Sequence, residues 1–224
     1  MNLAIDIGNT AAKWATFEGR ELRDCGYGMP DELMVQADRM LACASGNLPE
    51  GIAVPRLTAD THLPIKLDYK TPATLGADRV ADACGAWSLH RGKPCLIIDA
   101  GTCITVDFLD AEGVYHGGAI MPGLDMSLRA LNTFTAKLPL VSLDGVEKAP
   151  VLGRSTEESI LAGTLGATML ALAGYVALYR EKAPGLHVLL AGGDAARLGT
   201  NNGWEHVPHL TLIGINEIMM NNEK

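Results

Sequence analysis

The chain has 224 residues, 48% of them hydrophobic and 5% aromatic, and a formal net charge of -8. Its length allows one large domain or two small ones around a substantial core. The acidic balance, with no run of basic residues, excludes the general attraction to nucleic acid that clustered Lys and Arg provide.

The N-terminal MNLAIDIGNT reaches Asp6 almost at once, without a basic n-region or a long apolar h-region, so it does not read as a signal peptide. Leu3 to Ile7 is a short apolar strand and Ala11 to Phe17 a second, joined as a hairpin by Gly8-Asn9-Thr10. Pro30-Asp31 opens a predicted helix over Asp31 to Ala44. Leu48 to Pro72 is Pro-rich and irregular, with short strands at best. Val80, Ala83, Cys84 and Trp87 share one face of a predicted helix over Ala77 to Arg91.

Cys95 to Ile98 is an apolar strand that runs into Asp99-Ala100-Gly101-Thr102, with Ile104 to Leu109 as its hairpin partner and Val114 to Gly118 as a further strand. A helix is predicted after Pro122-Gly123, where proline's missing N–H does no harm. Val141 to Leu152 reads as a loop. Ser155 to Lys182 reads as a long helix, capped by Ser155 or Thr156, with Glu157 and Glu158 favourable in its first turn. Its stretch from Ser159 to Tyr179 carries no charge, but its Gly, Ala and Thr content favours a buried or dimer-interface helix over a membrane span. His187 to Leu190 is a strand closed by Gly192-Gly193-Asp194, His209 to Ile213 a last strand, and Asn216 to Asn221 a last short helix.

Five cysteines are present, at positions 25, 43, 84, 95 and 103. No CxxC pair occurs, so they read as reduced, mostly buried thiols of a cytoplasmic protein; a zinc site lacks its usual spacing.

One pattern occurs twice. Leu3-Ala4-Ile5-Asp6-Ile7-Gly8-Asn9-Thr10 parallels Leu96-Ile97-Ile98-Asp99-Ala100-Gly101-Thr102-Cys103. Each is an apolar strand, then Asp-x-Gly, then small polar residues, then a second apolar strand. An Asp at the end of a buried strand is costly unless it is paired or bound to a cation. The glycine lets backbone amides approach a bulky anion. Two such turns facing each other across a cleft can grip a polyphosphate, with the carboxylates holding the metal that neutralises it. No GxxxxGK[ST] and no GxGxxG occurs, so neither a Walker loop nor a dinucleotide fold is supported.

DIGNTAAK (Asp6 to Lys13), LGADR (Leu75 to Arg79), DAGTCIT (Asp99 to Thr105) and GGAIMPGL (Gly117 to Leu124) follow one another in this order. The sequence thereby resembles the type III pantothenate kinases of the acetate-kinase/sugar-kinase/Hsp70/actin superfamily, over nearly its whole length. The resemblance implies an α/β fold of two ribonuclease-H-like lobes around a nucleotide cleft, 1–92 and 93–224. It implies ATP-dependent phosphorylation of pantothenate at its hydroxyl, in a homodimer, with Mg²⁺ and a monovalent cation, K⁺ or NH₄⁺. Neither nucleic acid nor membrane is an expected partner.

By the same resemblance, Asp6, Ile7, Gly8, Asn9, Thr10, Ala11, Ala12 and Lys13 form the first phosphate loop, with Mg²⁺ at Asp6 through the phosphates, and Thr102 touches ATP from the second. Asp99 binds the monovalent cation. Tyr69, Gly76, Ala77, Asp78, Arg79 and Thr156 line the pantothenate site, and Asp78 is the proton acceptor. Lys13 reads either as a phosphate ligand or as a solvated charge, and Arg79 either as a fork for substrate oxygens or as a surface ion-pair partner. The chain departs from the family at Cys103, where alanine is usual, and at Ala191-Gly192-Gly193, where Thr-Gly-Gly is usual; Gly46 to Asp60 is shorter than usual. The alternatives are a non-catalytic accessory or regulatory protein on the same scaffold, and a kinase of another small alcohol.

Overall fold

The computed structural model describes residues 1–8, 11–44, 54–146, 148–199 and 202–222. Asn9 and Thr10, and most of Gly46 to Asp60, lie outside the described residues. The first sheet contains β1 (Asn2–Ile7), β2 (Ala12–Glu18), β3 (Glu21–Tyr27) and β4 (Arg39–Ala44) in the order β3-β2-β1-β4. β1 and β2 are antiparallel, as are β2 and β3, whereas β4 lies parallel to β1.

The second sheet contains β5 (Lys66–Leu67), β6 (Cys95–Ala100), β7 (Cys103–Leu109), β8 (Val114–Pro122), β9 (His187–Ala191) and β10 (Glu205–His206), in the order β10-β9-β6-β7-β8-β5. Its central part, β8-β7-β6-β9, repeats the order and directions of the first sheet. The repeat seen in the sequence is therefore a repeat of topology, and Asp6 and Asp99 occupy equivalent places near the ends of β1 and β6.

Two expectations are corrected. Asp31 to Ala44 is not one helix: α1 (Asp31–Gln36) stops, and Arg39–Ala44 is β4. Met40-Leu-Ala-Cys-Ala lacks the polar positions of a surface helix, and a parallel strand covered on both faces reads as such an apolar run. Leu41, Ala42 and Cys43 are all buried. His209 to Ile213 is not a strand either: α7 (Leu210–Asn221) begins there, with His209 as a left-handed N-cap at φ 62°. α7 is packed on several sides, so its first turn is apolar nearly all round and imitates a strand.

α2 (Ala77–Leu89) and α7 lie together. Period-2 alternation decides what faces them. Leu3, Ile5 and Ile7 of β1 pack on the outer face with Leu33 and Met34 of the α1 region, while Ala4 packs on the inner face with Phe17, Cys43 and residues of α2 and α7. Leu96, Ile98 and Ala100 of β6 likewise face outward. They meet Leu172 and Val176 of α5 (Ala167–Lys182) and Ala195 and Leu198 of α6 (Ala195–Leu198), while Cys95 and Ile97 join the inner core. By that alternation Asp6 and Asp99 both project from inner faces toward α2. Two elements cross the expected boundary at 92/93: β5 joins the second sheet, and α7 packs against the first.

α3 (Leu124–Thr133) follows β8. α4 (Thr156–Leu161) continues through a π-helical turn at Ala162–Gly166 into α5, so Thr156–Lys182 forms one helical stretch. Ser155 is its N-cap, accepting from the Glu158 amide at 3.1 Å, while the Glu158 carboxylate accepts from the Arg154 amide at 2.6 Å. Thr164 Oγ1 donates to the Ile160 carbonyl at 2.7 Å inside the π-turn. The stretch is long and apolar enough to cross a membrane by length and composition. Only Leu172 and Val176 of α5 are buried, and Leu170 and Leu178 are exposed.

Candidate active site

Four carboxylates from three elements influence one another. Burial pushes Asp6 of β1 up to about 6; Lys13 pulls it down, and Asp78 and Asp99 push it further up. Asp99 of β6 is also pushed up to about 6 by burial, with Lys13 opposing and Asp78 and Asp107 reinforcing. Asp82 is raised well above the usual carboxylate range by burial, then by Asp99, Asp78 and Asp6; a hydrogen bond from Thr211 Oγ1 at 2.7 Å opposes the rise. Asp78 and Asp82 stand four residues apart on α2 and so share a face. So many acids in one low-dielectric place are poorly compensated by Lys13 alone. Such a donor set suits a bound cation, and hard oxygen ligands suit Mg²⁺ or K⁺. Lys13 sits opposite Asp6 in the β1–β2 register and acts on both Asp6 and Asp99, so it faces the carboxylates rather than open solvent.

The loops around this cluster are backbone-built. The Gly8 amide donates to the Ala11 carbonyl at 3.1 Å, closing the described part of the first turn. Ile7 is buried, Ala11 exposed and Ala12 half-buried. In the second turn, the Gly101 amide donates to the Cys103 carbonyl, and the Gly123 amide before α3 donates to the carbonyl of exposed Thr102 at 3.1 Å. The Asp194 amide donates to the Ala100 carbonyl at 3.0 Å, which lays Gly192-Gly193-Asp194 across the end of β6. Gly192 has φ +91°, and a Cβ there would lie 2.5 Å from Asp99 Oδ1, so only glycine fits both the turn and the carboxylate.

Gly76 is the N-cap of α2, with Ala77, Asp78 and Arg79 in its first turn. Asp78 Oδ1 accepts from the Arg79 amide at 2.9 Å. Arg79 is itself committed: its side chain is buried and forks onto Asp107 of β7, with Nε 3.0 Å from Oδ2 and Nη2 2.5 Å from Oδ1. Tyr115 Oη adds a 2.7 Å bond to the same carboxylate. Tyr69 packs beside this group, its ring centroid 6.0 Å from the Tyr115 ring and 6.0 Å from Arg79 Cζ. Of the two sequence readings of Arg79, the structure therefore shows an ion pair, but a buried one. Tyr69, Gly76, Ala77, Asp78 and Arg79 come together.

Thr156 stands apart, as the first residue of α4. It lines a separate cavity of about 750 Å³ with Leu131, Leu138, Arg154 and Ser159, and none of the loop residues lines that cavity. His116, which carries no role in the sequence reading, is an ion-pair residue: its Nε2 lies 2.7 Å from Asp110 and its Nδ1 3.3 Å from Asp68.

Two residues were missed by sequence reasoning. Asp82 carried a readable signal, an acid one helical turn after Asp78 on the same face of an otherwise apolar stretch of α2. Asp107 carried none, because an Asp alternating with apolar strand residues looks like a solvent-facing position until the second lobe's inner face is known to be covered.

The family model for type III pantothenate kinase matches residues 51–178 of the chain. A type III pantothenate kinase of Phocaeicola vulgatus is 38% identical, covering 100% of both chains. Among solved structures, a protein of Campylobacter jejuni assigned to the Baf family of transcriptional activators superposes with a TM-score of 0.64 at 20% identity, covering 98% of each chain. One of Listeria monocytogenes assigned as an N-acetylmannosamine kinase gives 0.54 at 12% identity, covering 100% of this chain and 99% of that one. The fold is the two-lobed α/β fold of the actin-like ATPases and sugar kinases.

Proposed function

The chain belongs to the type III pantothenate kinase family, and from that premise we propose how its residues divide the work of an ATP-dependent pantothenate kinase, the first enzyme of coenzyme A biosynthesis. The observation that carries the assignment of roles is the convergence of Asp6, Asp78, Asp82 and Asp99 from both sheets and α2 onto one place.

Asp6 to Lys13 and Thr102 bind the triphosphate from either side, using turn amides together with the Lys13 ammonium. A divalent cation held through the phosphates at Asp6 neutralises triphosphate charge when bound. Asp99 holds a monovalent cation, K⁺ or NH₄⁺, in the second turn. Asp78 accepts the proton of the pantothenate hydroxyl while that oxygen bonds to the γ-phosphorus and the bond from phosphorus to the leaving oxygen of ADP breaks. The Arg79 amide bond keeps the Asp78 carboxylate turned toward the helix N-terminus. Tyr69, Gly76 and Ala77 line the acceptor, and Arg79 fixes the start of α2 to β7 through Asp107. Thr156 is kept as a pantothenate contact on the family resemblance, although its cavity is separate from the Tyr69 and Gly76–Arg79 group.

We assign the enzyme to the cytoplasm as a homodimer, with no role for nucleic acid or membrane. What supports the dimer is the exposed apolar surface of the second lobe, including Phe134, Val151, Leu152, Leu170 and Leu178. Patches of this kind mark interaction surfaces.

The test is a purified-protein assay with pantothenate, ATP, Mg²⁺ and K⁺, following 4′-phosphopantothenate by mass. Absence of product from folded protein would overturn the assignment. Preference for another alcohol in a substrate panel would transfer it to that acceptor.

A further inference from the structure

A second polar cluster lies at the opposite ends of the strands from the carboxylates. His90 is the C-cap of α2, His187 opens β9 and Glu205 opens β10. Three separate elements thus deliver them to one place. A side-chain ligand atom from each lies within 4.8 Å of the other two. The imidazoles stack, with ring centroids 4.5 Å apart and planes inclined by 29°. His90 Nε2 is 2.9 Å from a Glu205 carboxylate oxygen. That nitrogen is buried, yet it makes no hydrogen bond of acceptable geometry among the described residues. A charged pair formed for its own sake would be expected to align; a nitrogen and a carboxylate sharing a third body need not.

We propose that His90, His187 and Glu205 form a site for a divalent transition-metal ion of the zinc class. Two imidazoles and one carboxylate are a donor set that such ions take, with water or another ligand in the fourth position. Ligand atoms at about 2.0–2.2 Å from a tetrahedral centre lie about 3.3–3.6 Å from one another, so small side-chain rotations close the present set around an ion. Imidazoles ligate in the neutral form, and burial together with the neighbouring His90 lowers the pKa of His187. Mg²⁺ prefers oxygen ligands and is directed to the carboxylate cluster instead. The ion ties the C-terminal end of α2, whose N-terminal end carries Asp78, to β9 and β10 of the second sheet.

The experiment titrates the full chain with Co²⁺, then Zn²⁺, in excess Mg²⁺, which occupies the carboxylate cluster. The visible d–d spectrum and the unfolding temperature are both read. The expected result is one Co²⁺ per chain with the intense bands of a four-coordinate nitrogen and oxygen site. Zn²⁺ displaces it and raises the unfolding temperature. His187→Gln and Glu205→Gln each weaken binding by more than about 100-fold, beyond what loss of an outer-shell partner costs. His206→Gln, next in sequence but outside the set, leaves binding unchanged. Bands of a six-coordinate ion, unaltered affinity in both variants, or loss of binding in His206→Gln would each overturn the proposal. Circular dichroism of the metal-free variants separates lost binding from lost fold.

Discussion

Gly85 of α2 and Gly214 of α7 meet backbone to backbone. A Cβ on Gly214 would lie 1.7 Å from the Ala81 carbonyl oxygen and 2.8 Å from the Gly85 nitrogen; one on Gly85 would lie 2.6 Å from the Leu210 carbonyl oxygen. No side-chain rotation relieves such contacts, because backbone stands on both sides. Gly214→Ala must therefore push the helices apart, and overpacking of this kind costs about 1–3 kcal/mol, occasionally more. A lowered unfolding temperature with reduced turnover of pantothenate is expected, since α2 carries Asp78. An unchanged denaturation midpoint would show that the helices separate freely.

Asp78→Asn keeps the size of the side chain and can still accept from the Arg79 amide. If Asp78 is the proton acceptor, kcat falls about 10²–10⁴-fold. The unfolding temperature and ATP affinity stay near the parent values. Full turnover in this variant, measured as 4′-phosphopantothenate formed, would remove Asp78 from that role.

Cations and pH should act on the same carboxylates. Asp6 and Asp99 stand at about 6, above the ordinary aspartate value of 3.8. An acid whose folded pKa is raised takes up protons on folding. Its contribution is fully favourable below about pH 4 and is lost as pH rises through about 6. Without cations, the unfolding temperature is expected to fall from about pH 5 to about pH 7.5, net of other groups. Mg²⁺ with K⁺ should restore it strongly at the higher pH and weakly at the lower. Asp82→Asn removes one of the crowded charges and should flatten the pH dependence. Equal cation protection at both pH values would contradict this account.

Arg79→Met leaves the Asp107 carboxylate in the interior with, among the described residues, the Tyr115 hydroxyl as its remaining side-chain partner. Breaking a buried pair on one side costs about 3–5 kcal/mol. Chemical denaturation should register that loss, and Arg79→Met/Asp107→Leu should recover much of it. If Arg79 instead serves chiefly as a substrate fork, stability will hold and only the KM for pantothenate will rise.

The exposed leucines of α5 offer a test of assembly. Leu170→Glu with Leu178→Glu places two charges on the proposed dimer face and should yield a monomer by light scattering. A dimer mass retained by the double variant would move the interface elsewhere.

The strand–Asp–x–Gly pattern was legible because a hairpin keeps its signal local: the apolar run, the turn and the returning strand lie within a few residues. β4 and the first turn of α7 were misread for the opposite reason. Both are covered on several sides, and full burial erases the alternation that distinguishes strand from helix. The meeting of Asp6 with Asp99 depends on the inner faces of two sheets closing on one helix pair. Asp107 and Thr211 become partners of Arg79 and Asp82 only through that closure. The His90, His187 and Glu205 cluster is more remote still, since its members come from distant segments with no local spacing to mark them.

The packing of α7 on the first sheet has a consequence for how the molecule is made. β1 emerges from the ribosome before the second sheet, but Ala4, Phe17 and Cys43 are covered by Leu212, Ile215 and Ile218 of α7, which follows that sheet in the chain. During translation the second sheet can close while the older strands still expose an unfinished apolar surface. Nascent chains arrested before Leu210 should thus engage chaperones through the first sheet, and release should follow the emergence of the single helix α7.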